Sequence, residues 1–156
     1  MSNLQIHDYL HTHQQLSQAL EELTPEQLHW KAEPANWSIT EVLAHLADHS
    51  IVVSFRIRDI LADTLVRLPV FNQDAWVSGQ HANQGEASDS LELVRSLLHY
   101  NSLLFSRLDA EEWNKSGINA KGQAVSIADI VQSFTGHVQT HLAQIERIKQ
   151  AGAAVS

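Results

Sequence analysis

The sequence predicts an all-α protein, and within that class a four-helix bundle. Three observations carry this. Four stretches repeat apolar residues three and four apart, the spacing of amphipathic helices. No stretch alternates apolar and polar residues over a useful strand length. Thr24, Ser38 and Ser126 each stand where a helix start is expected, in TPEQ, SITE and SIAD. Four long amphipathic helices bury their apolar faces most simply as a bundle.

The first helix is expected from about residue 3 to 22, on the stripe Ile6, Leu10, Leu16, Leu20 and Leu23. TPEQ at 24–27 then reads as a fresh start, with Thr24 as N-cap and Pro25 at the first helical position, and this short turn ends before AEPANW. Ser38 and Glu41 form a capping-box pattern that opens the second long helix. Its stripe (Ile39, Val42, Leu46, Val53, Ile57, Ile60) supports a helix to about residue 65. Residues 66–87 hold no convincing period. A loop of ~22 residues is long for a bundle, and when extended it spans more than ~60 Å. That is enough for a crossover that lets the second and third long helices run the same way. The third starts near Ser88 or Asp89 and carries Leu91, Val94, Leu97, Leu98, Leu104 and Leu108; the fourth opens at Ser126 and continues to about residue 151. LTPEQL at 23–28 echoes LDAEEW at 108–113, and SITEVL at 38–43 echoes SIADIV at 126–131. Duplication of a two-helix unit and recurrent helix-start chemistry both account for these echoes.

A chain of 156 residues suits one domain spanning 1–156, and 44% hydrophobic residues is close to the globular norm. Ten basic against eighteen acidic residues give a net charge of −8, which disfavours nucleic acid or an anionic membrane as partner. With no cysteine, disulfides, thiolate ligands and a cysteine nucleophile are excluded, so any metal must be held by nitrogen and oxygen. MSNLQIHDYLHTH lacks the basic-then-apolar run of a signal peptide, and the apolar runs fall short of the ~18 residues of a membrane span. The expectation is a cytoplasmic protein acting on a small molecule.

Ten histidines is a high count for this length. His7 and His11 point away from their helix's stripe and read as surface residues; His29 and His81 fall in expected loops, and His99 stands alone on a helix. GHVQTHLAQIERI at 136–148 is different. His137 and His141 lie one turn apart, with His141 inside the stripe of Val138, Leu142, Ile145 and Ile148 and His137 on its edge. An unsatisfied buried polar group costs roughly 1–3 kcal/mol, so these rings need partners. A metal ion, a carboxylate, a backbone carbonyl or water would serve. EVLAHLADHS offers a second pair, His45 and His49, again four apart. With ~1.5 Å rise per residue, His45 reaches the level of His141, and His49 that of His137, if these helices are antiparallel. Periodicity slightly favours His49 as the core-facing residue; geometry leaves both open.

The pattern NWSITEVLAHLADHS at 36–50, together with GHVQTHLAQIERI, resembles the DinB-like (YfiT-like) superfamily of metal-dependent four-helix-bundle proteins. The resemblance covers most of the chain, and the His-Leu-x-Asp piece with His-x-x-x-His-x-x-Gln-Ile is its most specific part. It implies an up-down-down-up bundle in which three histidines bind a divalent metal, one from the second long helix and two from the fourth. By motif position these are His45, His137 and His141. A glutamate frequent in the family, two residues after the motif's aspartate, is Ser50 here. The resemblance also implies a low-molecular-weight thiol as cosubstrate, because relatives include transferases and isomerases that use one, and it implies a homodimer.

Three neutral imidazoles leave a metal its full charge and an open position. Such a centre lowers the pKa of bound water from about 15.7 towards ~7 and favours a thiolate likewise. Zinc is the first expectation, with nickel and iron open, since imidazole suits all three. Asp48 is a candidate to orient a ligand imidazole or act as base, although a solvent-exposed aspartate is the plainer reading. Phe71 and Trp76 serve equally as a pocket roof or as loop anchors, and Arg56 as an anion contact or a surface ion pair. The functional expectation is a metal-dependent enzyme of the thiol-transferase type. A metal-dependent hydrolase and a non-catalytic bundle are the alternatives.

Overall fold

Reciprocal side-chain caps set where most of the helices begin. The computed structural model describes residues 1–64, 67 and 69–155. Helix α1 (Asn3–Ala19) opens on a capping box between Ser2 and Gln5, the short α2 (Pro25–His29) on one between Thr24 and Gln27, and α3 (Ile39–Leu61) on one between Ser38 and Glu41. Asn72 caps α4 (Gln73–Gly79), and α5 (Ala87–Phe105) follows a single 3-10 turn at Ala82–Gln84. Asp109 and Glu112 box the four-residue α6 (Ala110–Trp113). At the start of α7 (Ile127–Val155), Ser126 Oγ accepts from the amide of Asp129 while Asp129 Oδ2 accepts from that of Ser126, both at 3.0 Å. Both echoed segments therefore build a short capped helix followed by a long histidine-bearing one.

The four long helices form the bundle, and side-chain pairs fix their directions. Gln15 meets Gln139, and Lys149 donates to the carbonyl of Ala19, so α1 and α7 run parallel. Tyr9 packs on Phe105 while His13 senses Arg95 and Glu92, so α1 and α5 are antiparallel. His45 faces His141 and His49 faces His137, so α3 and α7 are antiparallel. The order is up-down-down-up, with α3 and α5 parallel neighbours joined by the crossover that contains α4. Leu43, Leu46, Ile57, Leu98, Phe105, Phe134 and Ile145 are buried between them. One polar network crosses this core: Asn101 donates to Tyr9 Oη (3.0 Å) and Ser54 Oγ (2.9 Å), and Arg58 donates to Asn101 Oδ1 (2.9 Å). Among the described residues no helix is long and apolar enough to cross a membrane.

Several boundaries differ from those the sequence predicts. α1 stops at Ala19 rather than 22, with Glu22 in the left-handed region (φ 65°), and α7 continues to Val155. α3 ends at Leu61; the expected end near residue 65 lies outside the described residues. His29, expected in a loop, is the last residue of α2. The segment at 66–87 is not featureless, since α4 and the 3-10 turn lie in it. A two-stranded antiparallel hairpin, β1 (Ser116–Ile118) with β2 (Ala124–Ser126), precedes α7. Asn119 Oδ1 accepts from the amides of Lys121 and Gln123 across its turn, and Gly122 takes the φ of 79° that this turn requires.

Candidate metal centre

His45 falls in the second turn of α3, and the antiparallel packing of α7 sets it against His141, with ring centroids 4.7 Å apart. His137 stands 6.0 Å from His45 and 4.9 Å from His141. One ring nitrogen from each of these three histidines lies within 4.8 Å of the others. His49, one turn further along α3, is not of this group: its ring lies 5.0 Å from His137 and 5.4 Å from Phe134.

The ring nitrogens test whether an ion fits. His45 is buried, and neither of its nitrogens has a hydrogen-bond partner. His141 is also buried; its Nδ1 pairs with Gln144 Oε1 at 2.8 Å, whereas its Nε2 has no partner. Leaving such groups unsatisfied costs roughly 1–3 kcal/mol each, and core histidines capped by hydrogen bonds would not show them. Three imidazole nitrogens without sulfur suit zinc, nickel or iron. Tetrahedral ligation at ~2.0–2.1 Å needs donors about 3.4 Å apart, a modest contraction of the present spread. The residues therefore fit a divalent ion.

Protonation agrees with that donor set. Burial pushes His45 down to about 3, reinforced by the neighbouring His141, His49 and His137. Burial also lowers His141, opposed in part by its hydrogen bond to Gln144, and brings His49 down to about 4. Near pH 7 these rings are neutral, the form in which imidazole ligates a metal. Since an amide oxygen only accepts, Gln144 holds the proton on His141 Nδ1 and leaves the Nε2 lone pair facing the cluster.

The crossover closes over this centre. Phe71 stacks on His45 (5.9 Å) and His49 (6.1 Å), and Trp76 packs edge-on against Phe71 (4.7 Å). Beneath Phe71 runs a cleft of about 560 Å³ that reaches His45, His49 and His137 and is also lined by Arg56, Asn119 and Lys121. A second cleft, of about 520 Å³, reaches His141 and Gln144 beside Trp30 and Trp37. Asp48 is buried rather than solvent-exposed, because Gln80 at the end of α4 donates to its carboxylate at 2.7 Å. No hydrogen bond joins it to an imidazole, and burial raises its pKa. Ser50 is buried, and its hydroxyl has no hydrogen-bond partner. Among the described residues Arg56 has no ion-pair partner; its Nη2 donates to the carbonyl of Pro69 at 3.0 Å. His7 and His11 are exposed and stack on each other.

The sequence alone assigns no role to Gln144, Gln80 or the hairpin residues. Gln144 had a signal, since it stands three residues after His141 on the same helical side. Gln80 reaches Asp48 across 32 residues, and nothing local announces that contact.

Comparison with known proteins agrees with this fold. The chain is 24% identical over 131 residues to a protein of Oceanobacillus iheyensis named a putative metal-dependent hydrolase, a match spanning 84% of this chain and 75% of that one. A protein of Geobacillus thermodenitrificans with the same name is 25% identical over 86% of this chain and 76% of its own length. Among solved structures, YfiT from Bacillus subtilis, a probable metal-dependent hydrolase with an unusual four-helix bundle topology, superposes with a TM-score of 0.88 at 19% identity, covering 98% of this chain and 90% of YfiT. A mycothiol-dependent maleylpyruvate isomerase shares the fold at a TM-score of 0.71 and 10% identity, over 91% of this chain and 59% of that one. The family description that matches residues 9–145 is that of the DinB superfamily, and the chain belongs to it.

Proposed function

We propose that this protein is a metal-dependent enzyme of the thiol-transferase type, in which His45, His137 and His141 hold one divalent ion, zinc in the first instance. The observation that carries the reading is the convergence of three ring nitrogens, with buried His45 and His141 nitrogens that have no other partner. When bound, the ion supplies positive charge that lowers the pKa of a coordinating thiol or water.

The chain's own residues do the rest. Gln144 fixes the tautomer of His141, and Phe71 covers His45 and His49. Among the described residues no carboxylate lines the cleft beneath Phe71, and Asp48 is engaged by Gln80. Activating water ordinarily calls for a placed general base, whereas a thiol with a pKa near 8.5 needs much less help. That difference favours a small thiol as nucleophile, and the chain's lack of cysteine assigns it to a cosubstrate. The second reading, a metal-dependent hydrolase, is favoured by the names of the two relatives and by His49, a neutral imidazole lining the cleft.

The test is a paired assay on zinc-loaded and metal-stripped protein. One arm follows consumption of cysteine or glutathione with an aromatic halide as electrophile, and the other follows hydrolysis of nitrophenyl esters without thiol. Zinc-dependent thiol transfer is the expected result. Zinc-dependent ester hydrolysis alone selects the second reading, and activity in neither arm contradicts both.

A further inference from the structure

Arg56 lies two helical turns beyond His49 on α3 and lines the cleft beneath Phe71. Its Nη2 bonds to the Pro69 carbonyl, while its Nε is buried and donates to nothing. Burial lowers its pKa, and no acidic side chain offsets that effect. Lys121, at the hairpin turn, lines the same cleft with Asn119 and Gln123, and among the described residues no acidic one does. Asn119 Nδ2 donates to Gln123 Oε1 at 3.2 Å, which leaves the Gln123 amide N–H groups to donate elsewhere. Asp129 lines the adjoining cleft with Arg56, but its carboxylate accepts from the amide of Ser126 and forms no ion pair with Arg56.

In a chain with eighteen acidic and ten basic residues, a cleft lined by two cations and no anion runs against the overall charge. A half-buried guanidinium without a counter-charge is costly unless something pairs with it. Low-dielectric walls of one sign also concentrate ligands of the other.

We propose that this cleft is a subsite for a substrate carboxylate, with Arg56 and Lys121 as its charge partners and Gln123 as an amide donor. The enzyme's substrates are then small carboxylic acids held with their reactive end toward His45 and His137. This rests on the three-histidine cluster being the reactive centre.

Calorimetric titration of the full chain with succinate, against its neutral analogue succinamide, tests it on metal-stripped and zinc-loaded protein. Succinate should bind both forms, and succinamide at least roughly tenfold more weakly. Arg56→Gln should weaken succinate tenfold or more, to order of magnitude, and Lys121→Glu roughly fivefold, with zinc affinity unchanged in both. Lys121 is exposed, so its variant decides the matter if Arg56→Gln fails to fold. No succinate binding, or binding insensitive to either folded variant, overturns the proposal and leaves the three-histidine reading intact. Succinate binding that depends on Arg56 in a protein that never takes up zinc supports the subsite and overturns the metal reading instead.

Discussion

His45 and His141 face each other across the α3–α7 interface at 4.7 Å, and buried nitrogens of both rings lack any protein partner. Every metal-related expectation follows from that pairing. Because an ion binds the folded chain and not the unfolded one, zinc should raise the unfolding temperature, by about 2.7 kcal/mol of stability at a hundredfold excess over Kd. Calorimetric scans with and without zinc check this, and His141→Ala should abolish the increment.

Gln144 positions His141 rather than touching the centre itself. Gln144→Leu should weaken zinc binding about 10–100-fold, the usual effect of losing a ligand's outer hydrogen bond. Gln144→Glu keeps an acceptor oxygen and should restore most of the affinity. Equal losses in the two variants would show that packing, not the hydrogen bond, is at issue.

His29 ties α2 to the end of the crossover: its Nδ1 meets the carbonyl of Pro25 and its Nε2 that of Gly85, each at 2.8 Å. Two carbonyl acceptors require both nitrogens to carry protons, and the bonds to Gly85 and then Pro25 raise the pKa. A raised folded-state pKa contributes stability that is complete below the unfolded value of ~6.5 and lost as pH rises through the folded value. Urea midpoints of wild type and His29→Gln should therefore differ most near pH 5.5 and converge on the alkaline side. A difference independent of pH would contradict this account of the tie.

Ile51, Phe55, Tyr100 and Leu103 remain exposed on the adjacent helices α3 and α5, with Arg58 lying over the Tyr100 ring. We expect a homodimer through this face. Light scattering at micromolar concentration should give twice the chain mass, and Phe55→Asp should give the monomer. A monomeric wild type would contradict it.

What the sequence made legible was local. The Ser38–Glu41 and Ser126–Asp129 exchanges are three residues apart and could be read directly, as could the long apolar periods of α3, α5 and α7. Helix α4 has only seven residues and the hairpin strands three each, too few for a period to emerge. The burial of Asp48 depends on Gln80, and the isolation of Arg56 on where the crossover and hairpin settle. His45 and His49 share one side of α3, so spacing alone could not say which ring meets both His137 and His141. The family motif named His45, and the nitrogen geometry groups His45 with those two.

The central claim is that His45, not His49, completes the three-histidine centre, and zinc titration of two variants tests it most directly. Wild type should take up one ion per chain. His45→Ala should lose affinity by several orders of magnitude, while His49→Ala should bind within about 10–100-fold of wild type. If His49→Ala loses the ion and His45→Ala retains it, the assignment is wrong.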